Sequence, residues 1–218
     1  MKVQEIYEKY KIMLRLQEHM LRVAGVASII CDNFQGAVDR KLIVTASLFH
    51  DIANIVKSDF EKRPPEVTKK KDLNYWFGVQ KEFIEKYGSD DHTATIKIIN
   101  EIGLDLHITN ILHNLEFTYT QEIAESKNFE RKIIKYSDMR IAPYKVDTLA
   151  NRLSELKKRY VYERKMHSET EFDKLALAWK SIEKQIFVHC KIKPEDITEE
   201  KVRPLIENLR NFKIETEL

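Results

Sequence analysis

Glycine, proline and cysteine are scarce in this sequence, and each shortage excludes something. Five glycines and five prolines in 218 residues supply too few turns for an all-β chain. The two cysteines, Cys31 and Cys190, lie far apart with no CxxC or zinc-knuckle context. They exclude a disulfide-built scaffold and read as two reduced thiols. Charge of either sign is nearly balanced, 37 Lys and Arg against 35 Asp and Glu, so there is no electrostatic footprint of a duplex nucleic acid partner. Apolar runs fall well short of a membrane span, and the first residues have no signal-type hydrophobic core. Those absences predict a cytoplasmic globular protein without a membrane or duplex partner.

What is present is helical. Lys, Glu, Leu and Ile dominate, and hydrophobic content of 43% with 33% charged residues suits a packed core. No stretch sustains two-residue alternation, so the fold class is all-α. The spacing predicts one long helix over residues 3–31, with Ile12, Leu16, His19, Met20 and Val23 on its apolar face. A second helix is expected over 38–56, where Leu42, Ala46, Phe49, His50 and Ala53 form one stripe. Residues 58–72 read as a loop rich in lysine around Pro64-Pro65, either a solvated connection or a lid that attracts a phosphorylated ligand. Tyr75, Trp76 and Phe77 open the helix at 73–87; such aromatics pack a core or stack on a base. Gly88 is a helix stop, and Ser89 is the expected cap of the helix at 90–102. Thr118 with Gln121, and Ser168 with Glu171, have the form of capping boxes. Further helices are expected at 106–115, 129–139 and from Leu149 onward. An amphipathic C-terminal helix carries Val202, Leu205, Ile206 and Leu209. The division expected is a domain over 1–161 and a C-terminal helical extension over 162–218, which can serve as a dimer face.

Four polar residues stand on otherwise apolar helix faces: His19, the adjacent pair His50-Asp51, and Asp138. His92 and His113 occupy similar positions. Buried imidazoles and carboxylates are costly unless paired or bound to a cation, and helices can converge them on a divalent transition metal. Each residue alone has an ordinary reading as a satisfied core group. The ordered set on successive helices is the stronger signal.

The order His19, His50-Asp51, Asp138 resembles the H…HD…D signature of the HD-domain metal-dependent phosphohydrolases. The local contexts Glu18-His19-Met20-Leu21-Arg22, Leu48-Phe49-His50-Asp51-Ile52 and Tyr136-Ser137-Asp138-Met139-Arg140 are similar to the family's ligand helices, over about residues 10–160. The resemblance implies a multi-helix bundle in which His19, His50, Asp51 and Asp138 hold one ion. It implies that His92 and His113 hold a second, with Asp51 as the bridge. The cofactor implied is one or two divalent transition metal ions, drawn from Fe, Mn, Zn, Ni and Co. His50 and Asp51 would be the catalytic centre. Two departures stand out: Ala53-Asn54 follows His50-Asp51-Ile52 where many members continue with glycine and lysine, and His113 is followed by Asn114 rather than a second histidine.

The function implied is hydrolysis of a phosphoester or phosphoanhydride in a small phosphorylated metabolite such as a nucleotide, by a metal-activated water. Arg140, Arg22 and Lys145 are the expected phosphate contacts, with Arg140 preferred for its closeness to Asp138. The alternative is a non-catalytic module of the same fold that binds a nucleotide or a protein around a structural metal. His107, His167 and His189 have no matching context; His189 beside Cys190 reads as an ordinary helix-end pair.

Overall fold

The computed structural model describes residues 1–61, 70–113, 115, 117–143 and 145–216, without the side chains of 70–72 and 117. The candidate lid over 58–72 therefore lies largely outside the described residues, as does Asn114. Among the described residues the fold is all-α apart from one small hairpin. No helix among the described residues is long and apolar enough to cross a membrane.

The helix expected over 3–31 is two helices, α1 (Val3–Lys9) and α2 (Leu14–Asn33). The break is at Lys11, whose φ of 48° leaves the helical region. It turns Ile12 and Met13 into the core, which repays the interruption. The central helix α3 (Arg40–Phe49) is capped by Asp39, which accepts from the Leu42 N–H at 2.9 Å. Its residues Ile43 through Phe49 are all buried, as for a helix packed on every side. It packs on α2, on α6 (Leu106–His113) and on α8 (Phe129–Met139).

The helix expected over 38–56 stops at Phe49; a turn and a 3₁₀ segment, Asn54–Lys57, replace its second half. Two carbonyls orphaned by that stop find side-chain partners. Tyr7 Oη donates to the Leu48 carbonyl at 2.6 Å, and the Ser47 carbonyl lies 2.9 Å from His50 Nδ1.

The remaining helices are α4 (Lys70–Tyr87), α5 (Asp91–Ile102), α7 (Thr120–Glu125), α9 (Leu149–Lys157) and α10 (Glu169–Val188). Short helices α11 (Glu199–Val202) and α12 (Ile206–Arg210) follow. Asp90, not Ser89, caps α5 by accepting from Thr93 N–H at 2.7 Å. Gly103 ends it in the left-handed conformation, φ 76°. The Thr118–Gln121 box does not form: α7 starts two residues later, and Gln121 bonds to Glu125 instead. The Ser168–Glu171 box forms at the start of α10. A hairpin the sequence pattern did not predict pairs β1 (Ile141–Ala142) with β2 (Lys145–Val146), too short to show alternation.

The C-terminal helices are tightly joined to the rest. Helix α10 packs on α7, α8 and α9; α11 and α12 pack on α2. Gly25 makes the last contact possible, since a Cβ there would lie 2.7 Å from Val202 Cγ1. At the chain ends Val3 N–H donates to the Phe212 carbonyl at 3.0 Å and Ile214 N–H to the Met1 carbonyl at 2.8 Å.

Candidate metal centre

Helices α2, α3 and α8 meet in pairs, and each brings donors to the junction. His19 comes from the second turn of α2. His50 occupies the C-cap of α3 with Asp51 just beyond, and Asp138 is the penultimate residue of α8. The early stop of α3 matters here. On a continuing helix, neighbours diverge by about 100° around the axis. The turn after Phe49 instead lets His50 and Asp51 both reach His19.

The resulting cluster is tight. His19 Nε2 lies 3.4 Å from His50 Nε2, 3.6 Å from Asp51 Oδ2 and 3.2 Å from Asp138 Oδ1. His50 Nε2 lies 3.7 Å from Asp51 Oδ2 and 3.5 Å from Asp138 Oδ1. Donor atoms of His19, His50 and Asp51 fall within 4.8 Å of one another. A carbonyl can only accept, so the Ser47 contact fixes the proton of His50 on Nδ1 and leaves Nε2 for the centre.

Electrostatics are consistent with a site shaped for a cation. Burial works against a charged His50, but the Asp51 charge, Asp138 and the Ser47 carbonyl outweigh it and lift its pKa to about 9. Burial alone would raise Asp138; hydrogen bonds from His19 and His50 hold it well below the carboxylate range. In the absence of an ion the two carboxylates thus recruit a proton onto imidazole. The converged His19, His50 and Asp51 donors, with Asp138 beside both imidazoles, fit a divalent metal ion.

His92 on α5 and His113 at the end of α6 stand together, ring centroids 5.6 Å apart. His92 is half-buried and His113 exposed. Among the described residues, they do not join the His19–His50–Asp51 group.

The expected phosphate contacts need correction. Arg140 is 2% exposed, and its guanidinium is spent inside the protein. It donates to the Asp147 carbonyl, to Tyr136 Oη at 2.8 Å, and to the carbonyls of Pro194 at 3.1 Å and Ile197 at 2.9 Å. It ties α8 to the segment before α11. Arg22 pairs with Glu18 at 2.8 Å and Glu199 at 3.0 Å, and so ties α2 to α11. Lys145 is exposed on β2 and pairs with Asp147 at 3.3 Å. None of the three lines the cleft at the metal centre.

That cleft, about 870 Å³, is lined by His19 and Asp51 together with Arg15, Lys57, Arg152, Arg159 and Arg164. Arg15 stands one turn before His19 on α2, a spacing that puts both on one face and was readable in the sequence. Lys57 closes the 3₁₀ segment; the Ile55 carbonyl within it and the Ser58 carbonyl just beyond it accept from Gln80 at 2.8 Å each. Its ammonium pairs with Asp91, and the Asp51 and Asp138 charges help hold it protonated against burial. Nothing in the linear pattern singles out Arg152, Arg159 or Arg164. The pair His189-Cys190 is not a site: His189 packs on the rings of Phe34 and Phe129, centroids 5.6 and 5.0 Å away, and both thiols are free.

The HD domain family model matches residues 16–190, and the chain belongs to that family. The match extends past 161 through α10, in keeping with the packing of that helix on α7, α8 and α9. Comparison with curated proteins and with solved structures returned no match.

Proposed function

We propose that the protein is a metal-dependent phosphohydrolase acting on a small phosphorylated metabolite of nucleotide size. The observation that carries the reading is the placement of a His–His–Asp cluster, with Asp138 3.2 Å from His19, in a cleft lined by cations. Membership of a family of metal-dependent hydrolases supports it.

His19, His50, Asp51 and Asp138 would hold a divalent ion, one of Fe, Mn, Zn, Ni or Co. His92 and His113, side by side, would hold a second ion, for which Asp51 would be the carboxylate ligand. A divalent ion in such a site supplies a water nucleophile at neutral pH and polarises a phosphoryl oxygen. The protein's own contribution is then positional and electrostatic. The Ser47 carbonyl keeps His50 in one tautomer and orientation. Lys57, steadied by Asp91, presents positive charge beside Asp51 to a phosphate oxygen. The arginines of the cleft neutralise the remaining phosphate charge as the P–O bond breaks. A cleft of about 870 Å³ has room for a nucleoside phosphate.

The test is elemental analysis of the purified protein followed by a turnover screen of nucleotide mono-, di- and triphosphates, cyclic nucleotides and an aryl phosphate. Stoichiometric metal and turnover of at least one phosphoester are expected. A metal-loaded protein inert to the whole panel would overturn the reading in favour of a binding module.

A further inference from the structure

The cleft presents more cationic side chains than one phosphate would contact. Five cationic side chains line it against two carboxylates, Asp51 and Asp59. Asp51 belongs to the metal centre, and the carboxylates that pair with Lys57, Arg152 and Arg159 come from outside the lining.

Three of the cations belong to one short segment with an unusual backbone. Helix α9 passes directly into a π-helical turn over Lys158–Glu163. The Arg164 N–H donates to the Arg159 carbonyl at 2.9 Å, a five-residue step. On an α-helix, residues five apart diverge by about 140° around the axis. The wider turn brings Arg159 and Arg164 to the same side, where their guanidiniums lie 5.8 and 5.9 Å from the centre of the Tyr160 ring. Glu155, one turn back, clasps both Arg152 and Arg159. Arg152 is further held by the Met139 carbonyl at 3.3 Å. Arg164 is exposed and has no carboxylate partner among the described residues. Turns of this type concentrate at functional sites, and this one gathers arginines, whose planar, multidentate guanidiniums suit phosphate oxygens better than lysines would.

We infer that Arg152, Arg159 and Arg164 form a second phosphate subsite, so that the preferred ligand carries at least two phosphate groups, one at the metal centre and another on the π turn. Glu155 is a positioning residue for two of the three arginines. The inference deepens the phosphohydrolase reading and rests on it for the first phosphate only; the second subsite stands on the arginines.

The experiment uses the full-length protein and calorimetric titration with inorganic tripolyphosphate and, separately, inorganic phosphate. Tripolyphosphate is expected to bind at least about tenfold more tightly, the scale of one charge-assisted contact. Arg159→Ala combined with Arg164→Ala should abolish that preference. Arg164→Ala alone, at an exposed position that tolerates truncation, should reduce it several-fold, so the test survives a double variant that fails to fold. Glu155→Gln should lower the preference less than the double variant does. Lys180→Ala, which removes an exposed charge on α10, should leave it intact. Equal affinity for the two ligands in the parent, or an unchanged preference in the arginine variants, would overturn the inference. Turnover separates the two readings. Arginine-dependent tripolyphosphate binding without hydrolysis of any phosphoester keeps the subsite and sinks the hydrolase. Hydrolysis of monoesters with no preference for tripolyphosphate keeps the hydrolase and sinks the subsite.

Discussion

One part of the cleft presents His19 and Asp51 from α2 and the end of α3; another presents Arg152, Arg159 and Arg164 from α9 and the π turn. The first is set into the most buried helices of the fold, where every neighbouring residue from Ile43 to Phe49 is inaccessible. The second is carried on a surface segment, where Arg164 is exposed. Rigid core helices can hold four donors within a few ångströms because their packing leaves few alternatives. A surface segment can vary its cations without disturbing that core. Under the proposed function, the contrast would place the reaction on the core side and the choice of ligand on the surface side.

A third set of residues sharpens the contrast. Arg140 and Arg152 are both arginines near the hairpin, yet Arg140 is sealed inside and bonds four carbonyl or hydroxyl oxygens, whereas Arg152 lines the cleft. The same side chain serves cohesion in one place and lines a cleft in the other, and only its surroundings decide which.

Substitutions can break this comparison, and the largest effect belongs to the core side. Asp51→Ala should lower phosphoester turnover by about a thousandfold and reduce bound metal, because it removes charge from the ion and a ligand at once. Full activity with full metal content would dismantle the proposed centre. Arg140→Ala comes next. It strands the buried carbonyl of Ile197 and the half-buried one of Pro194, so chemical denaturation should show a loss of about 3 kcal/mol with KM unmoved. A raised KM at undiminished stability would return Arg140 to the phosphate site. Arg22→Ala, which loses a half-buried pair with Glu18 and Glu199, should cost about 1 kcal/mol in the same measurement. His189→Ala is the smallest, about 0.5 kcal/mol from its ring contacts. Its metal content by elemental analysis should equal the parent's; a loss would show that the C-terminal helices supply ligands.

Proton uptake gives a further handle on the core side. With His50 lifted to about 9 in the metal-free protein, an ion arriving at neutral pH must displace a proton from it. Calorimetric metal titrations in buffers of different ionisation heat should reveal release of about one proton per ion, and affinity should strengthen as pH rises toward 9. Binding without proton release would mean that His50 is not a ligand.

Much of the core side was legible in the residue order. Helical spacing set His19, His50 and Asp138 on apolar faces, and an apolar environment leaves a polar group few fates. The start of α10 was equally readable, because the Ser168–Glu171 box is local. Reading failed where local and tertiary preferences diverged. The apolar periodicity runs straight through Lys11 and past Phe49, and only packing decides that the chain turns there, to bury Ile12 and to free His50 and Asp51 from one another.

The sequence by itself determined the all-α class and the identity of the donors at the proposed centre. Both follow from periodicity and from the cost of burying charge, which act residue by residue. The tertiary structure alone decided which cations line the cleft. An arginine on a helix reads the same whether its guanidinium closes on backbone carbonyls, as Arg140 does, or stands at the edge of a cleft, as Arg164 does. That choice depends on what the remote segment around Pro194–Ile197 and the π turn after α9 bring alongside, and no spacing along the chain records it.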